Sequence, residues 1–257
     1  MKFKQKALFP FLLPITVGVV LLGAWWTAIR ISGTELFPAP GDVVYGFKDL
    51  FQRGVLFPYI IASLFRVTCG FGLACMVGIP FGLFLGWFRK AFLSFNPFIQ
   101  MLRPISPIAW IPLAILWFGV KDASCIFLIF LASVFPITVA TMAAVQNMQL
   151  VYVRAAQNFG LSRTQIIRTV VFPAALPQII TGLRIALGIA WLVVVAAEMI
   201  AVTSGLGFLI IDARNMGKRY DLVVAGMVMI GAIGLILDLG IRQFEKFDEV
   251  RWGYGLR

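Results

Sequence analysis

Long, uncharged apolar runs constrain this sequence more than any other feature. The unbroken runs cover residues 7–29, 67–88, 104–120, 123–153 and 222–237, and the run over 176–202 is interrupted only by Arg184 and Glu198. A helix that crosses a bilayer needs about 20 predominantly apolar residues. We therefore predict an all-α integral membrane protein with six spanning helices, over about 7–30, 58–88, 95–119, 123–146, 176–203 and 221–242.

The composition excludes a soluble protein. Charged residues make up 13% of the 257 residues and hydrophobic residues 61%, whereas soluble domains average about 25% charged residues. So few charges cannot cover a water-exposed surface, so the soluble enzyme classes are excluded. The length fits one transmembrane domain over residues 1–257, without room for a fused soluble domain.

The residue types needed for common metal and catalytic sites are missing. There is no histidine, and three isolated cysteines (Cys69, Cys75 and Cys125) lie in apolar runs. Neither a disulfide framework nor a structural zinc site is expected from this pattern, and no Ser/His/Asp or Cys/His catalytic set can form. We predict that the chain is not itself an enzyme.

The basic residues favour one orientation in the membrane. With a cytoplasmic N-terminus, the short inner segments hold most of the lysines and arginines, namely Lys2, Lys4, Lys6, Arg89, Lys90, Arg154, Arg163, Arg168, Arg242, Lys246, Arg251 and Arg257. Cytoplasmic loops carry such an excess in membrane proteins generally. Both termini are then predicted to be cytoplasmic, and the net charge of +11 reflects topology.

Residues 42–53, between the first two predicted spans, carry apolar residues at helical spacing and polar residues on the other face. This pattern predicts an amphipathic helix on the outer interface. A surface loop is the alternative.

The second span carries a small residue at every fourth position (Gly70, Ala74, Gly78, Gly82 and Gly86). Such a stripe lets another helix backbone approach closely, so this span is expected to pack against protein.

The third predicted span is interrupted by prolines. Pro97, Pro104, Pro107 and Pro112 remove backbone donors, and Arg103 lies among them. Broken helices at membrane depth are tolerated where they line a cavity or are buried in protein. We expect this segment to border a translocation pathway, with a kinked helix and an arginine that snorkels to the interface as the alternative.

Four ionisable residues are expected inside spans, where charge is costly and usually functional. They are Arg66, Arg103, Arg184 and Glu198, and their positive sum suits an anionic solute. Arg66 and Arg184 lie near enough to helix ends for their side chains to snorkel. Glu198 is expected either to form a hydrogen bond near an outer gate or to lie at a polar interface.

The longest predicted inner connection, residues 147–175, has a helix–turn–helix pattern. Helix-forming residues precede Gly160, which can adopt the left-handed conformation that ends a helix. Ser162 and Gln165 have the spacing of a capping box for a second short helix, which we expect Pro173 to end. A DNA-reading helix-turn-helix needs supporting helices of its own, and here spanning helices flank the motif, so no nucleic-acid partner is expected.

This connection resembles the cytoplasmic EAA loop of bacterial ATP-binding-cassette importer permeases. That pattern has Glu-Ala-Ala, then a glycine after three residues, and an Ile-x-Leu-Pro end after nine more. Here Arg154, Ala155 and Ala156 take the first place, Gly160 takes the glycine position and residues 170–173 form the end. Arg154 stands where the family has glutamate, so the salt bridge of that acid is not implied.

Two further stretches resemble permeases for nitrate, sulfonates such as taurine, or bicarbonate. They are residues 103–112 and the pair Ala196-Ala197-Glu198-Met199 and Gly205-Leu206-Gly207-Phe208. The resemblance implies a homodimeric subunit of the bacterial inner membrane, surrounded by lipid, that receives solute from a periplasmic or lipid-anchored binding protein. It also implies two cytoplasmic ATPase subunits docked on the loop residues Arg154, Ala155, Ala156, Gly160, Ser162, Arg163 and Pro173.

The sequence is consistent with that division of labour. No Gly-x-x-x-x-Gly-Lys-Ser/Thr phosphate loop occurs, so ATP and Mg²⁺ are expected on the ATPase partner, and no cofactor is expected on this chain. The candidate pathway residues are Arg103, Ser106, Trp110, Arg184 and Glu198.

Two alternatives to this function stay open at this point. One is an ion-coupled secondary transporter, although such proteins commonly show internal repeats and no clear repeat is visible here. The other is the same importer architecture for a small neutral heterocycle.

Overall fold

The computed structural model describes residues 5–32, 37–217 and 219–244, and that part of the chain is helical throughout, with short connections. The helices in chain order are α1 Gln5–Ser32, α2 Pro40–Gln52, α3 Leu56–Trp87, α4 Arg89–Leu102, α5 Ile111–Phe118, α6 Asp122–Gln146, α7 Leu150–Asn158, α8 Arg163–Ile166, α9 Phe172–Ala201, α10 Leu206–Asn215 and α11 Tyr220–Phe244. A 3-10 turn, Pro107–Trp110, precedes α5, and a π-helical turn, Ile167–Val171, joins α8 to α9. The all-α prediction is confirmed.

Five helical segments among the described residues are long and apolar enough to cross a membrane: Leu13–Ile31, Leu56–Trp87, Asp122–Gln146, Arg163–Ala201 and Tyr220–Gln243. The pair α4 and α5 provides a sixth if it is counted as one span. Counted in this way, the spans number six, as predicted. The side on which the termini lie stays a prediction. Residues 1–4, 33–36, 218 and 245–257 lie outside the described part.

The third span is broken rather than kinked. The segments Arg89–Leu102 and Pro107–Phe118 meet at 83°, and Pro104 and Pro107 lie at the break. The expectation that all four prolines interrupt the helix was wrong for two of them. Pro97 lies inside α4, and Pro112 lies in the first turn of α5, where a missing N–H costs nothing because those donors have no partner within the helix.

The described chain forms two compact units. The larger one comprises residues 59–208 together with the chain from Ile230 onwards, and the smaller one comprises the chain up to Pro58 together with Leu209–Met229. The larger unit contains the elements that resemble permease motifs.

The core of the larger unit lies between α6 and α9. Buried residues from both helices pack with the first turn of α5 in one cluster, which includes Ile111, Ala114, Leu128, Val193 and Ala197. Lipid tails are as apolar as these side chains, so moving a side chain from lipid into protein gains little from the hydrophobic effect. Close packing therefore provides the stability here. The two helices thus form the frame of the larger unit.

The predicted stripe of small residues on α3 lies against α6. A Cβ added to Gly70 would stand 2.7 Å from the Cβ of Ile129, and one added to Gly82 would stand 2.6 Å from the Cβ of Thr141. Gly78 and Gly86 approach Ile137 and Val145 in the same way, and Ala74 is fully buried. The prediction that this face packs against protein is confirmed.

A pair of glycine substitutions on α3 tests this contact. Gly82→Val should destabilise the permease by about 1–3 kcal/mol, because the new methyl groups overpack a closed interface. Gly72→Val is the matched control, since Gly72 lies on the same helix and a Cβ there meets nothing within 4 Å. Thermal unfolding of both variants in detergent measures the difference, and equal midpoints would contradict the packing assigned to Gly82.

The smaller unit contains the predicted amphipathic helix. It begins at Pro40, whose fixed backbone suits the first helical position, and Asp42 accepts a hydrogen bond from the N–H of Ala39 at 2.8 Å. Val43, Gly46 and Leu50 form its buried face, whereas Val44 and Phe51 are exposed. The helix is confirmed, and its place on the outer interface stays a prediction.

A charge network links α2 to the start of α11 within this unit. Arg219 donates to Asp49 at 2.6 Å and to Asp221 at 2.8 Å, and Arg53 donates to Asp49 at 2.8 Å. The hydrogen bond from Arg53, followed by that from Arg219, lowers the pKa of Asp49 below its usual value. The stability that this carboxylate contributes is therefore present above its unfolded-state pKa and is lost as the pH falls through the lowered value.

Candidate functional site

The turn between α7 and α8 has the geometry that the sequence predicts. Gly160 has a φ of +76°, and the N–H of Leu161 donates to the carbonyl of Ala156 at 3.2 Å, which closes the end of α7. At the start of α8, the N–H of Ser162 donates to Oε1 of Gln165 at 2.8 Å, and the Ser162 hydroxyl accepts from the N–H of Gln165. Both the left-handed glycine and the capping box are confirmed.

Buried residues hold this turn onto the spanning helices. Val153 and Ala156 of α7 and Ile166 of α8 share a cluster with residues near the ends of α6 and α9, namely Ala144, Val145, Val171, Ala175 and Ile179. Because the inner faces of the short helices are fixed in this way, their outer faces are presented in one defined arrangement. We refer to α7, the Gly160 turn and α8 as the projecting turn.

The outer face of the projecting turn is basic and carries an exposed aromatic ring. Arg154, Ala155, Gly160, Ser162 and Arg163 are all exposed, and neither arginine pairs with an acid among the described residues. Phe159, at the tip, is 85% exposed. Sequence reasoning did not single out Phe159, although a phenylalanine beside the turn glycine was the available signal.

Pro173 does not end the second short helix, and that expectation was wrong. The helical chain continues from Arg163 to Ala201 as one segment, and Pro173 lies in the first turn of α9, directly after the π-helical turn. A proline ring clashes with the carbonyl of the residue four positions earlier, and the wider π-helical turn accommodates that carbonyl. The projecting turn is therefore continuous with a spanning helix.

The break in the third span borders a cavity of about 290 Å³ within the larger unit. Arg103, the C-cap residue directly after α4, and Trp110, in the 3-10 turn, both line it. The opposite wall comes from α6 and α9 and includes Leu131, Phe135, Ile185 and Ile189. Ser106 is exposed at the start of the 3-10 turn but does not line this cavity.

Glu198 is fully buried and forms an ion pair with Arg66. Nη1 of Arg66 donates to Oε1 of Glu198 at 2.6 Å, and the exposed fractions of the two side chains are 2% and 0%. Oε2 of Glu198 accepts from the hydroxyl of Ser63 and from the N–H of Gly207, each at 2.9 Å. The suggestion that Arg66 snorkels was wrong, because its guanidinium is buried and pairs with the carboxylate of Glu198.

Further contacts of Arg66 join four elements at this point. Its Nε donates to Asp122 at the start of α6 at 2.8 Å, and its Nη1 and Nη2 donate to the carbonyl and hydroxyl of Ser204. Gly205 has a φ of +106°, and a Cβ at that position would collide with the Glu198 carboxylate. The glycines of the Gly205–Gly207 stretch therefore let the chain after α9 close over the ion pair. We call Ser63, Arg66 and Glu198 the buried charge cluster.

Arg184 also has an acidic partner. Its Nη2 donates to Oδ2 of Asp238 at 3.0 Å, and Arg242 approaches the same carboxylate at 3.1 Å. Asp238 lies within the Tyr220–Gln243 span, so counting four ionisable residues inside spans was wrong. Arg103 differs from Arg66 and Arg184, because no described residue pairs with its guanidinium.

Metal binding finds no support in the described part of the chain. No group of three or more histidine, cysteine, aspartate or glutamate side chains there could hold an ion.

Comparison with known proteins agrees with this picture. The model of the family described as "Binding-protein-dependent transport system inner membrane component" matches residues 78–247. The taurine transport system permease protein of Escherichia coli (strain K12) is 37% identical over 241 residues, which cover 91% of this chain and 87% of that protein. The bicarbonate transport system permease protein of Synechococcus elongatus is 36% identical over 259 residues, covering 96% and 92%.

A solved structure shares the fold. The MetNI methionine ABC transporter in an inward-facing conformation matches with a TM-score of 0.65 at 18% identity, over 75% of this chain and 95% of that chain. At this identity the match concerns the fold alone.

Proposed function

The chain belongs to the family of binding-protein-dependent transport system inner membrane components, and on this premise we propose that it is the permease subunit of an ATP-driven importer for a small anion. The proposed solutes are taurine or another sulfonate, nitrate, or bicarbonate. Membership makes the chain a multi-pass inner-membrane permease of the ATP-binding-cassette class. The energy source and the identity of the solute are the parts of this function that we propose.

We propose that the projecting turn is where the ATPase subunits dock. The observation that carries this proposal is an exposed basic surface with an aromatic ring at its tip. A buried cluster on the inner face of the two short helices holds this surface in place. Aromatic and arginine side chains are enriched at protein interfaces. The docking residues would include Arg154, Ala155, Ala156, Gly160, Ser162, Arg163 and Pro173; of these, Ala156 is buried beneath the surface and supports it.

The continuous helix from Arg163 to Ala201 supports a mechanical role. One end belongs to the projecting turn, its middle lines the cavity through Ile185 and Ile189, and Glu198 near its other end belongs to the buried charge cluster. A movement of the turn on ATPase closure would be carried along this helix, because rigid secondary elements transmit displacement. Rocking of helices in this way exposes a central pathway to each side in turn.

The complete transporter would contain two copies of this chain, two cytoplasmic ATPase subunits and a solute-binding protein. ATP and Mg²⁺ would be bound by the ATPase. Uptake into proteoliposomes tests the energy source: ATP supplied with the ATPase and the binding protein should drive accumulation. Accumulation driven by an ion gradient, without ATP, would instead identify a secondary transporter.

Substitution of Gly160 tests the docking site. Gly160→Val places a β-branched residue in a left-handed conformation, which costs about 1–2 kcal/mol, so the turn should distort and co-purification of the ATPase should fall. A Cβ at this position meets nothing within 4 Å, so the effect is one of backbone conformation. Gly160→Asn is the matched control, because asparagine tolerates this conformation, and it should retain the ATPase. Normal ATPase binding by the valine variant would contradict the proposal.

A further inference from the structure

The cavity at the break of the third span lies at mid-depth in the helical frame. Leu131 and Phe135 are roughly 14–22 Å from the two ends of α6, at about 1.5 Å per residue. Ile185 and Ile189 occupy the middle of α9 in the same way. Substrate sites of membrane transporters commonly lie near the bilayer midplane, where discontinuous helices meet.

Arg103 is the one charged residue among those that line this cavity. No described residue pairs with its guanidinium, and no described residue accepts from the indole N–H of Trp110. Arg103 is exposed at the break between α4 and α5, and ionisable residues within membrane spans usually face a cavity and mark function. Two unsatisfied donors beside one cavity fit a ligand that brings its own acceptor oxygens, and the positive charge of Arg103 favours an anion.

The remaining wall is apolar, formed by residues such as Leu131, Phe135, Ile185 and Ile189. An anion the size of nitrate or bicarbonate could occupy the donor end only, and this wall would stay without contacts. The volume of about 290 Å³ is close to the lower end of the range of about 300–1,000 Å³ for small-molecule sites. The cavity therefore has room for an apolar body behind the charged group.

Building on the proposed permease function, we propose that this cavity binds a small organic oxyanion, with its sulfonate or carboxylate on Arg103 and a short alkyl body against α6 and α9. The guanidinium can donate two parallel hydrogen bonds to such a head group. The apolar wall gains contact with each additional methylene group. The permease would then select against compact inorganic anions.

Binding to the full-length permease in lipid nanodiscs, without binding protein, tests this assignment. Saturation-transfer NMR with ethane-, propane- and butane-1-sulfonate should show the strongest transfer to the terminal methyl group. The affinity should rise roughly threefold to fourfold per methylene, from about 0.8 kcal/mol each, and nitrate should compete at least tenfold more weakly than butane-1-sulfonate. Nitrate competing as well as butane-1-sulfonate, or no binding of any of these anions, would overturn the proposal.

Two variants with matched controls locate the site. Arg103→Gln should weaken butane-1-sulfonate binding about tenfold or more, because a charge-assisted hydrogen bond is lost. Arg214→Gln, which removes an exposed arginine that does not line the cavity, is the control and should leave this binding unchanged. Ile185→Ala should reduce the gain in affinity per methylene. Leu192→Ala, an exposed position on the same helix outside the cavity, should not. Unchanged binding in Arg103→Gln would overturn the site.

The proposed function can fail independently of this inference. ATPase co-purification and ATP-driven uptake report on the permease function, while the titration needs only this chain in lipid. Anion binding without ATPase assembly would keep the cavity assignment and contradict the importer function. ATPase assembly and ATP-driven uptake without anion binding to the permease would keep the importer function and contradict the cavity assignment.

Discussion

Glu198→Leu is expected to destabilise the permease by about 3–5 kcal/mol, the usual loss when one partner of a buried ion pair is removed. Arg66 would keep its charge while only 2% exposed, with Asp122 as its one remaining acid. The hydrogen bonds from Ser63 and from the N–H of Gly207 would be lost together with the pair. A lower unfolding midpoint in detergent and reduced abundance in the membrane measure this effect.

The double variant Arg66→Met/Glu198→Leu separates pairing from packing. Removing both members of the pair leaves no buried unpaired charge, and replacing whole buried pairs with apolar residues is often neutral. Asp122 tolerates the change because it is 55% exposed. The double variant should therefore be more stable than Glu198→Leu alone. If it is equally unstable, the ion pair is not the reason for the loss.

An exposed ion pair provides the control for this experiment. Arg53 and Asp49 are paired at 2.8 Å, but their side chains are 42% and 28% exposed. Arg53→Met should cost no more than about 1 kcal/mol, as surface pairs do. A loss as large as that of Glu198→Leu would show that the assay does not distinguish buried from exposed charges.

Phe159→Ala is expected to weaken ATPase binding without weakening the permease fold. Aromatic residues at interface centres contribute about 2 kcal/mol or more, which corresponds to a roughly 30-fold loss of affinity. Because Phe159 is 85% exposed, its truncation removes few contacts within the chain. Titration of purified ATPase against the permease in nanodiscs, together with unfolding midpoints, measures both quantities.

A second exposed phenylalanine serves as the control for Phe159. Phe37 is 66% exposed and lies outside the projecting turn, so Phe37→Ala should leave ATPase binding unchanged. Equal affinity of the Phe159→Ala variant and the unmodified permease would remove the aromatic tip from the docking surface, although it would not exclude a contact through Arg154 or Arg163.

The elements that sequence reasoning predicted depend on neighbours in the chain. The spans follow from the length of uncharged runs, the Gly160 turn from one glycine and one capping pair, and the α3 stripe from small residues at every fourth position. Each of these patterns acts over a few helical turns, so the sequence displays it directly. Helix α10 was not predicted, although Leu206, Leu209, Ile210 and Ala213 are buried at helical spacing, because ten residues are too few to mark a span.

The charges show where such reasoning ends. The sequence identifies Arg66, Arg103, Arg184 and Glu198 as costly, but it does not identify their partners. Glu198 lies 132 residues from Arg66 in the chain, and Asp238 lies 54 residues from Arg184. Whether a charge is buried in a pair, as in Arg66, or has no partner among the described residues, as in Arg103, depends on which helices lie side by side.

The sequence by itself determined the membrane-spanning character, the number of spans, the small-residue face and the turn, because hydrophobicity and backbone preference are properties of short segments. The tertiary structure alone decided the partners of the buried charges, the 83° break, the cavity behind Arg103 and the continuity of the projecting turn with α9. These features depend on distances between segments far apart in the chain, and such distances are set only when the helices pack.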